Sequence, residues 1–347
     1  MTSREAVLEA LGCVIDPELR RPVTELDMVR SVEVDGGQVA VTIALTVVGC
    51  PLRSSFEDQV RREVATLDGV DEVTLSFDVM TAEERQALTQ KLRGSVSERS
   101  KGLSLDASTR VLAVCSGKGG VGKSTVTANV AVALSQAGQR VGILDADIYG
   151  HSIPHLLGIH QKPIAVDRMI VPPVKDDLKL MSIGFFLGDN QPVMWRGPML
   201  HRALEQFLSD VHWGELDVLV VDMPPGTGDV AISLGQLLPR AEVLVVTTPQ
   251  PAAQEVAARA ALMAQKTSMR LLGVIENMSG DVFGTGGGKR LADELGVPLL
   301  GRIPLDPQLR EAGDSGDPLV TPEIAAIAER VAELRPGGIV KPLTVLS

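Results

Sequence analysis

The sequence predicts an α/β protein with a mainly parallel, doubly covered sheet, preceded by a small α+β domain. Three observations carry that expectation. From about residue 109 onward, short runs that are apolar on both faces, such as Val111 to Val114 and Val218 to Val221, alternate with Ala-rich helical stretches, the pattern of strands buried between two helix layers. Before that point helices and strands mix around an Asp35-Gly36-Gly37 turn set between two β-branched runs. Between the two textures, residues 95–108 lose periodicity and collect Ser, Gly and charge, which is linker composition. The expected organisation is therefore a small domain at 1–94, a linker at 95–108 and a larger domain at 109–347, in keeping with roughly 100–200 residues per domain.

In chain order, the small domain reads as helix Ser3 to Leu11, a Pro-punctuated loop, strand Arg30 to Val34, strand Gln38 to Val48, helix Leu52 to Leu67, strand Glu72 to Phe77 and helix Ala82 to Leu92. The Asp-Gly-Gly turn predicts a hairpin, because glycine enters positive φ without a Cβ clash. The larger domain reads as strand Val111 to Val114, helix Ser124 to Ala137, strands Val141 to Leu144, Leu180 to Ser182, Val218 to Val221 and Val243 to Thr247, helix Gln254 to Gln265, and strands Leu271 to Ile275 and Leu299 to Ile303. A modest amphipathic helix from Pro322 to Leu334 is stopped by Arg335-Pro336-Gly337-Gly338, and a short tail follows.

Composition narrows the function classes. Hydrophobic residues make up 44% and charged residues 22%, ordinary globular usage. Aromatic residues are only 3%, which leaves few side chains for stacking on bases. With 33 Lys and Arg against 44 Asp and Glu, the net charge of −11 argues against nucleic acid or an anionic membrane as partner. Three cysteines in 347 residues make no disulfide framework, which points to a reducing compartment, the cytoplasm. Neither a signal-peptide core nor an apolar run long enough to span a bilayer is present.

The strongest local signal is Gly117-Lys118-Gly119-Gly120-Val121-Gly122-Lys123-Ser124, set between a strand and a helix. This is the GxxxxGK[ST] spacing in its required context. Glycines let backbone N–H groups converge on phosphate oxygens, Lys123 supplies a point charge to the β- and γ-phosphates, and the Ser124 hydroxyl can ligate Mg²⁺. Thr125 adds a donor to the α-phosphate. Asp222 ends an apolar strand where a second Mg²⁺ partner is needed, and leads into Pro224-Pro225-Gly226-Thr227-Gly228-Asp229, whose glycines suit a hinge around a γ-phosphate. Asp145 and Asp147, spaced i, i+2 at a strand end, would lie on one side of that strand. One can orient an attacking water while the other supports the Mg²⁺ shell.

With an additional lysine, Lys118, early in the run, SGKGGVGKST resembles the deviant phosphate loop of the MinD/ParA/Mrp ATPases. The runs Leu144 to Gly150, Met194 to Leu208, Leu219 to Asp229, Thr247 to Gln250 and Gly273 to Ser279 resemble the Mrp/ApbC branch, ATP-dependent iron-sulfur cluster carriers. The first 94 residues, with Asp16-Pro17-Glu18, Asp27 and Gly49-Cys50-Pro51, resemble the small domain of iron-sulfur assembly factors. The resemblance implies an ATPase that delivers clusters to apoproteins, binds ATP and Mg²⁺, and works as a homodimer with iron-sulfur scaffold or client proteins as partners. It further implies that Lys118 crosses to the partner subunit's nucleotide, that Asp147 positions water and that Asn277 hydrogen-bonds the adenine; with Asp147 at the water, Asp145 is the one of the pair left to support the Mg²⁺ shell with Ser124 and Asp222.

One departure stands out. After Glu276-Asn277-Met278-Ser279 many members of that branch carry a Cys-x-x-Cys whose thiolates bridge a cluster between subunits; here Gly280-Asp281-Val282 passes directly to Phe283-Gly284-Thr285-Gly286. Cys115, at the end of a core strand, reads as packing, and Cys13 as a helix-end residue. Cys50, in a turn before a helix N-terminus where a thiolate is favoured, is the candidate iron-sulfur ligand. His151 and His155, with Pro154 between them and no third ligand in view, read as ordinary histidines. The alternatives are a MinD/ParA-like positioning ATPase, which needs a basic amphipathic face that this chain lacks, and a Mrp-like ATPase that no longer carries a cluster.

Overall fold

The computed structural model describes residues 2–47, 52–94, 105–106, 108–147, 150–186, 197–226 and 229–334. Most of the expected linker and the carboxyl-terminal tail lie outside the described residues. The first part of the chain forms α1 (Arg4–Leu11), β1 (Ile15–Asp16), β2 (Arg21–Pro22), β3 (Val29–Asp35), β4 (Gln38–Leu45), α2 (Arg53–Val64), β5 (Glu72–Val79) and α3 (Ala82–Gly94). Next come β6 (Arg110–Ser116), α4 (Lys123–Gln136), β7 (Val141–Asp145), α5 (Ile153–Leu156), β8 (Ile164–Val166), β9 (Met169–Val171), β10 (Val174–Lys175), β11 (Leu178–Ser182) and α6 (Gly197–Ser209). The remainder is β12 (Val218–Asp222), α7 (Asp229–Leu237), β13 (Glu242–Thr247), α8 (Pro251–Lys266), β14 (Arg270–Ser279), α9 (Gly287–Leu295), β15 (Leu299–Pro304), α10 (Pro307–Ser315) and α11 (Pro322–Glu333).

Two compact units result: Met1–Thr109 with Gln161–Met181 and Glu205–Leu216, and Arg110–His160 with Ser182–Leu204 and Asp217–Ser347. In the first unit β3 and β4 form the hairpin that the Asp35-Gly36-Gly37 turn predicts, with Gly36 at φ +60, and β4 runs parallel to β5. Ser3 caps α1 by accepting from the Ala6 N–H. Val7 and Leu11 of α1, Phe56, Val60 and Val64 of α2 and Val41 and Ile43 of β4 fill the core, joined by Val166, Met169 and Val171 of the β8–β9 hairpin. The Thr89 hydroxyl of α3 donates to the Val166 carbonyl at 3.3 Å. That hairpin has no counterpart in the sequence reading, because three-residue strands are too short for periodicity to register.

In the second unit six parallel strands stand side by side in the order β7-β12-β6-β13-β14-β15. Every residue of β7, β12 and β13 is buried, which explains their unbroken Val and Leu runs. With β6 and β7 flanking β12, the carboxyl ends of these three strands lie side by side at the end of the sheet where open α/β folds place their ligands. Register sets Asp222 of β12 directly opposite Asp145 of β7 and Val114 of β6. Helix starts follow local chemistry: Thr321 caps α11 and Asp306 caps α10, each with Pro at the first turn.

Candidate functional site

The loop after β6 is shaped by glycines at three positions where only they fit. Gly120 and Gly122 hold φ +79 and +78, and a Cβ on Gly117 would lie 2.2 Å from the Ala257 backbone nitrogen of α8. Gly122 precedes the first residue of α4, so the loop delivers Lys123 and Ser124 at a helix N-terminus, the anion-binding end of a helix. The loop is tied back by the Gly226 N–H, which donates to the Ser116 carbonyl at 2.8 Å. Gly226 itself sits at φ +90; Thr227 and Gly228 lie outside the described residues.

Lys123 is 6% exposed, and its ammonium donates to Asp222 Oδ2 at 2.7 Å, with the Ser124 hydroxyl at 3.2 Å and Asp147 Oδ2 at 3.6 Å. Ser124 also donates to Asp222 Oδ2, at 2.6 Å. The Thr127 hydroxyl lies 2.7 Å from Asp222 Oδ1 and 2.9 Å from the Lys123 carbonyl. Asp222 is thus fully buried and met by one ammonium and two hydroxyls. Sequence reasoning missed Thr127, which lies i, i+4 from Lys123 on the same face of α4.

Asp145, also fully buried, accepts from the Ser182 hydroxyl at 2.9 Å and from the Asp147 N–H at 3.2 Å. Burial, and then the neighbouring Asp222, push the Asp145 carboxyl up to about 8, against the pull of these hydrogen bonds and of Lys123. Burial raises Asp222 as well, while Lys123, Ser124 and Thr127 work the other way. Strand β7 ends at Asp145, so Asp145 and Asp147 do not share a strand face; Asp147 lies in the turn beyond, where its Oδ1 accepts from the Gly150 N–H at 3.0 Å. Ser182, the last residue of β11, is a second group that the sequence reading missed.

The other expected residues fall around this centre. Gly119 and Lys118 are exposed, Val121 is buried, and Ser124 and Thr125 are half-buried. Asn277 of β14 is 7% exposed, and its Nδ2 donates to the Val121 carbonyl at 2.8 Å. Ser124, Asp222 and Asp145 are oxygen donors on hard-ion chemistry, which fits Mg²⁺. The cysteines differ. Cys115 is buried in core strand β6, and burial pushes its thiol up to about 12. Cys13 is exposed, and Cys50 lies outside the described residues. Among the described residues no group of three or more His, Cys, Asp or Glu side chains is placed to hold a metal ion, and no helix is long and apolar enough to cross a membrane.

A phosphate loop between strand and helix, with Lys123, Ser124 and a buried acid at the end of the neighbouring strand, defines a P-loop NTPase. The chain belongs to the NUBPL iron-transfer P-loop NTPase family, whose model matches residues 107–334. The iron-sulfur cluster assembly protein family matches residues 4–75. A protein named iron-sulfur cluster carrier protein from Mycobacterium leprae is 54% identical over 334 residues, covering 91% of this chain and 87% of its own length. Its namesake from Bacillus subtilis is 42% identical, covering 88% and 89%. Among solved structures, a nucleotide-binding protein from Archaeoglobus fulgidus in complex with ADP is 38% identical with a TM-score of 0.53, covering 60% of this chain and 86% of its own. The cell division ATPase MinD of Pyrococcus furiosus, 23% identical with a TM-score of 0.51 over 65% of this chain and 99% of its own, shares the fold.

Proposed function

We propose that this chain is an ATP-hydrolysing iron-sulfur cluster carrier that works as a cytoplasmic homodimer and passes clusters from a scaffold to client apoproteins. The observation that carries the reading is the 54% identity to a named carrier across 91% of the chain. The assembled Lys123, Ser124 and Asp222 group supports the nucleotide half of it. A nucleotide's phosphates draw the Lys123 ammonium away from Asp222, freeing that carboxylate. Ser124, Asp222 and Asp145 would hold Mg²⁺, which would supply positive charge to offset that of the phosphates. Asp147, beside Lys123, positions the attacking water. Lys118, exposed on the loop, reaches the partner subunit's nucleotide and stabilises charge on the transferring phosphoryl group. Asn277 faces the adenine.

Lys123→Ala is expected to abolish tight ATP binding, whereas Lys118→Ala spares binding and removes hydrolysis; equal turnover by Lys118→Ala and the parent contradicts the cross-subunit role. Cargo is tested by anaerobic reconstitution, with iron and sulfide content, absorption spectrum and transfer to an apoprotein compared for the parent, Cys50→Ser and Cys13→Ser. A stoichiometric, transferable cluster lost in Cys50→Ser is the expected result. No cluster in any form, with ATP turnover intact, makes this an ATPase that serves assembly without carrying cargo, a reading favoured by the inert Cys115 and the cysteine-free turn after Ser279. Tight ATP-dependent co-sedimentation with liposomes or DNA replaces both with a positioning ATPase.

A further inference from the structure

Asn277 makes a contact that reading adenine does not require. Its side-chain nitrogen donates to the Val121 carbonyl, 156 positions earlier in the sequence and in the middle of the phosphate loop. The orientation of the amide follows from chemistry, since a carbonyl oxygen can only accept and the nitrogen must face it. Val121 lies between the two left-handed glycines, Gly120 and Gly122. The peptide joining Val121 to Gly122 is trans, as are all the others described. In a planar trans peptide the C=O and N–H point to opposite sides. Holding the Val121 carbonyl on the Asn277 side therefore turns the Gly122 N–H the other way, the orientation a phosphate cradle needs. The fit is close: a Cβ on Gly122 would lie 2.2 Å from Asn277 Nδ2.

Asn277 is itself held from both neighbours. Glu276, fully buried, accepts from the Ser279 hydroxyl at 2.7 Å, the Gly286 N–H at 3.1 Å and the Gly288 N–H at the start of α9. Met278 takes φ +56, a left-handed conformation that costs a residue with a long side chain and persists only where the surroundings impose it. The β14–β15 register breaks at this same place, between Glu276 and Ser279. A strained, pinned segment aims one amide at one loop carbonyl.

We infer that Asn277 is a positioning residue for the phosphate site, fixing the Val121–Gly122 peptide so that the loop is set for phosphate before any base is bound. This deepens the P-loop reading and rests on it. The test uses a ligand without a base. Full-length parent, Asn277→Asp and Asn277→Ala are titrated calorimetrically with Mg-ATP and with Mg-tripolyphosphate, and hydrogen exchange is followed across residues 117–124 without ligand. Asp is nearly isosteric but sets an acceptor against an acceptor; Ala removes the donor without adding charge, and serves if the charged variant fails to fold.

Both variants are expected to weaken ATP and tripolyphosphate by similar factors, on the order of tenfold, the usual consequence of a buried carbonyl losing its donor. Exchange at the Gly122 amide rises severalfold. Loss of ATP affinity with tripolyphosphate affinity and loop exchange unchanged makes Asn277 a base reader only and overturns the inference. A parent that binds neither ligand overturns the P-loop reading instead, and the exchange measurement still decides whether Asn277 orders the loop.

Discussion

The buried charge cluster of the first unit makes a pH-dependent stability that can be worked out in advance. Asp16 and Glu18 of the Asp-Pro-Glu turn are 4% and 8% exposed, and Lys179 of β11 is 2% exposed. Asp16 closes the turn, its Oδ1 accepting from the Glu18 and Leu19 N–H groups at 2.9 Å each. Burial, then the charge on Asp16, push the Glu18 carboxyl from 4.5 up to about 7, with Lys179 opposing. Burial, then Arg20, push the Lys179 ammonium down to about 7, with Asp16 and Glu18 opposing. A carboxyl whose folded pKa is raised contributes stability that is fully present below its unfolded pKa and is lost as pH rises through the folded value. At 1.36 kcal/mol per pH unit, the window from 4.5 to about 7 amounts to about 3 kcal/mol.

Glu18→Gln removes that dependence, so relative to the parent the variant gains about 3 kcal/mol between pH 4.5 and pH 8. Lys179 acts in the same direction, because without Glu18 its charged form, present below about 7, costs more. The assay is urea unfolding of the full chain at pH 5, 6, 7 and 8 in a Trp195→Phe background, which leaves the fully buried Trp213 of the first unit as the sole tryptophan. A stability difference between Glu18→Gln and its parent that stays constant across those pH values would refute the reasoning.

Two further outcomes follow from burial elsewhere. In the native chain at pH 8, mass spectrometry after iodoacetamide treatment should find Cys13 alkylated and Cys115 untouched until denaturant is added, since the thiol of Cys115 is pushed up to about 12; equal labelling of the two contradicts its burial. Arg110 binds Glu242 and the carbonyls of Val331 and Leu334, latching the end of α11 to the start of β6, and Glu242 is 3% exposed. Arg110→Ala leaves that carboxylate with Arg270 alone at 3.1 Å, at a cost of about 3 kcal/mol. Calorimetry should then show Tm lowered by roughly 6–12 °C, and an unchanged Tm removes the latch.

What was legible in the sequence was what is local. The phosphate loop is eight consecutive residues whose strand and helix flanks are themselves readable, and Asp222 follows from the end of an unbroken apolar run. Thr127 was not legible because a hydroxyl on a helix that is buried almost all round carries no periodic mark. Ser182 meets Asp145 from 37 positions away, and the Asn277 contact with Val121 spans 156; neither pairing is encoded before the sheet order brings those strand ends together. The i, i+2 spacing of Asp145 and Asp147 misled for the converse reason. The period-2 argument holds only inside a strand, and β7 stops at the first of the two.

The turn after β14 bears on where any cargo can sit. Gly280 and Gly284 exchange backbone hydrogen bonds at 2.9 and 2.7 Å, closing the chain in five residues, with Val282 at its tip 73% exposed. Glu276 anchors both ends of this segment, through Ser279 on one side and Gly286 and Gly288 on the other. The place where resembling carriers hold a Cys-x-x-Cys is here a short, pinned turn without a thiol. Cys115 offers no substitute, because it is buried within core strand β6. The protein's soft ligands for a cluster thus reduce to Cys13 and Cys50, both supplied by the first ninety-four residues. Under the proposed carrier function, any thiolate that this chain offers to a cluster from these two residues comes from its first 94 positions. Reconstitution of Cys50→Ser and Cys13→Ser therefore tests which part of the chain supplies a ligand as well as which residue does.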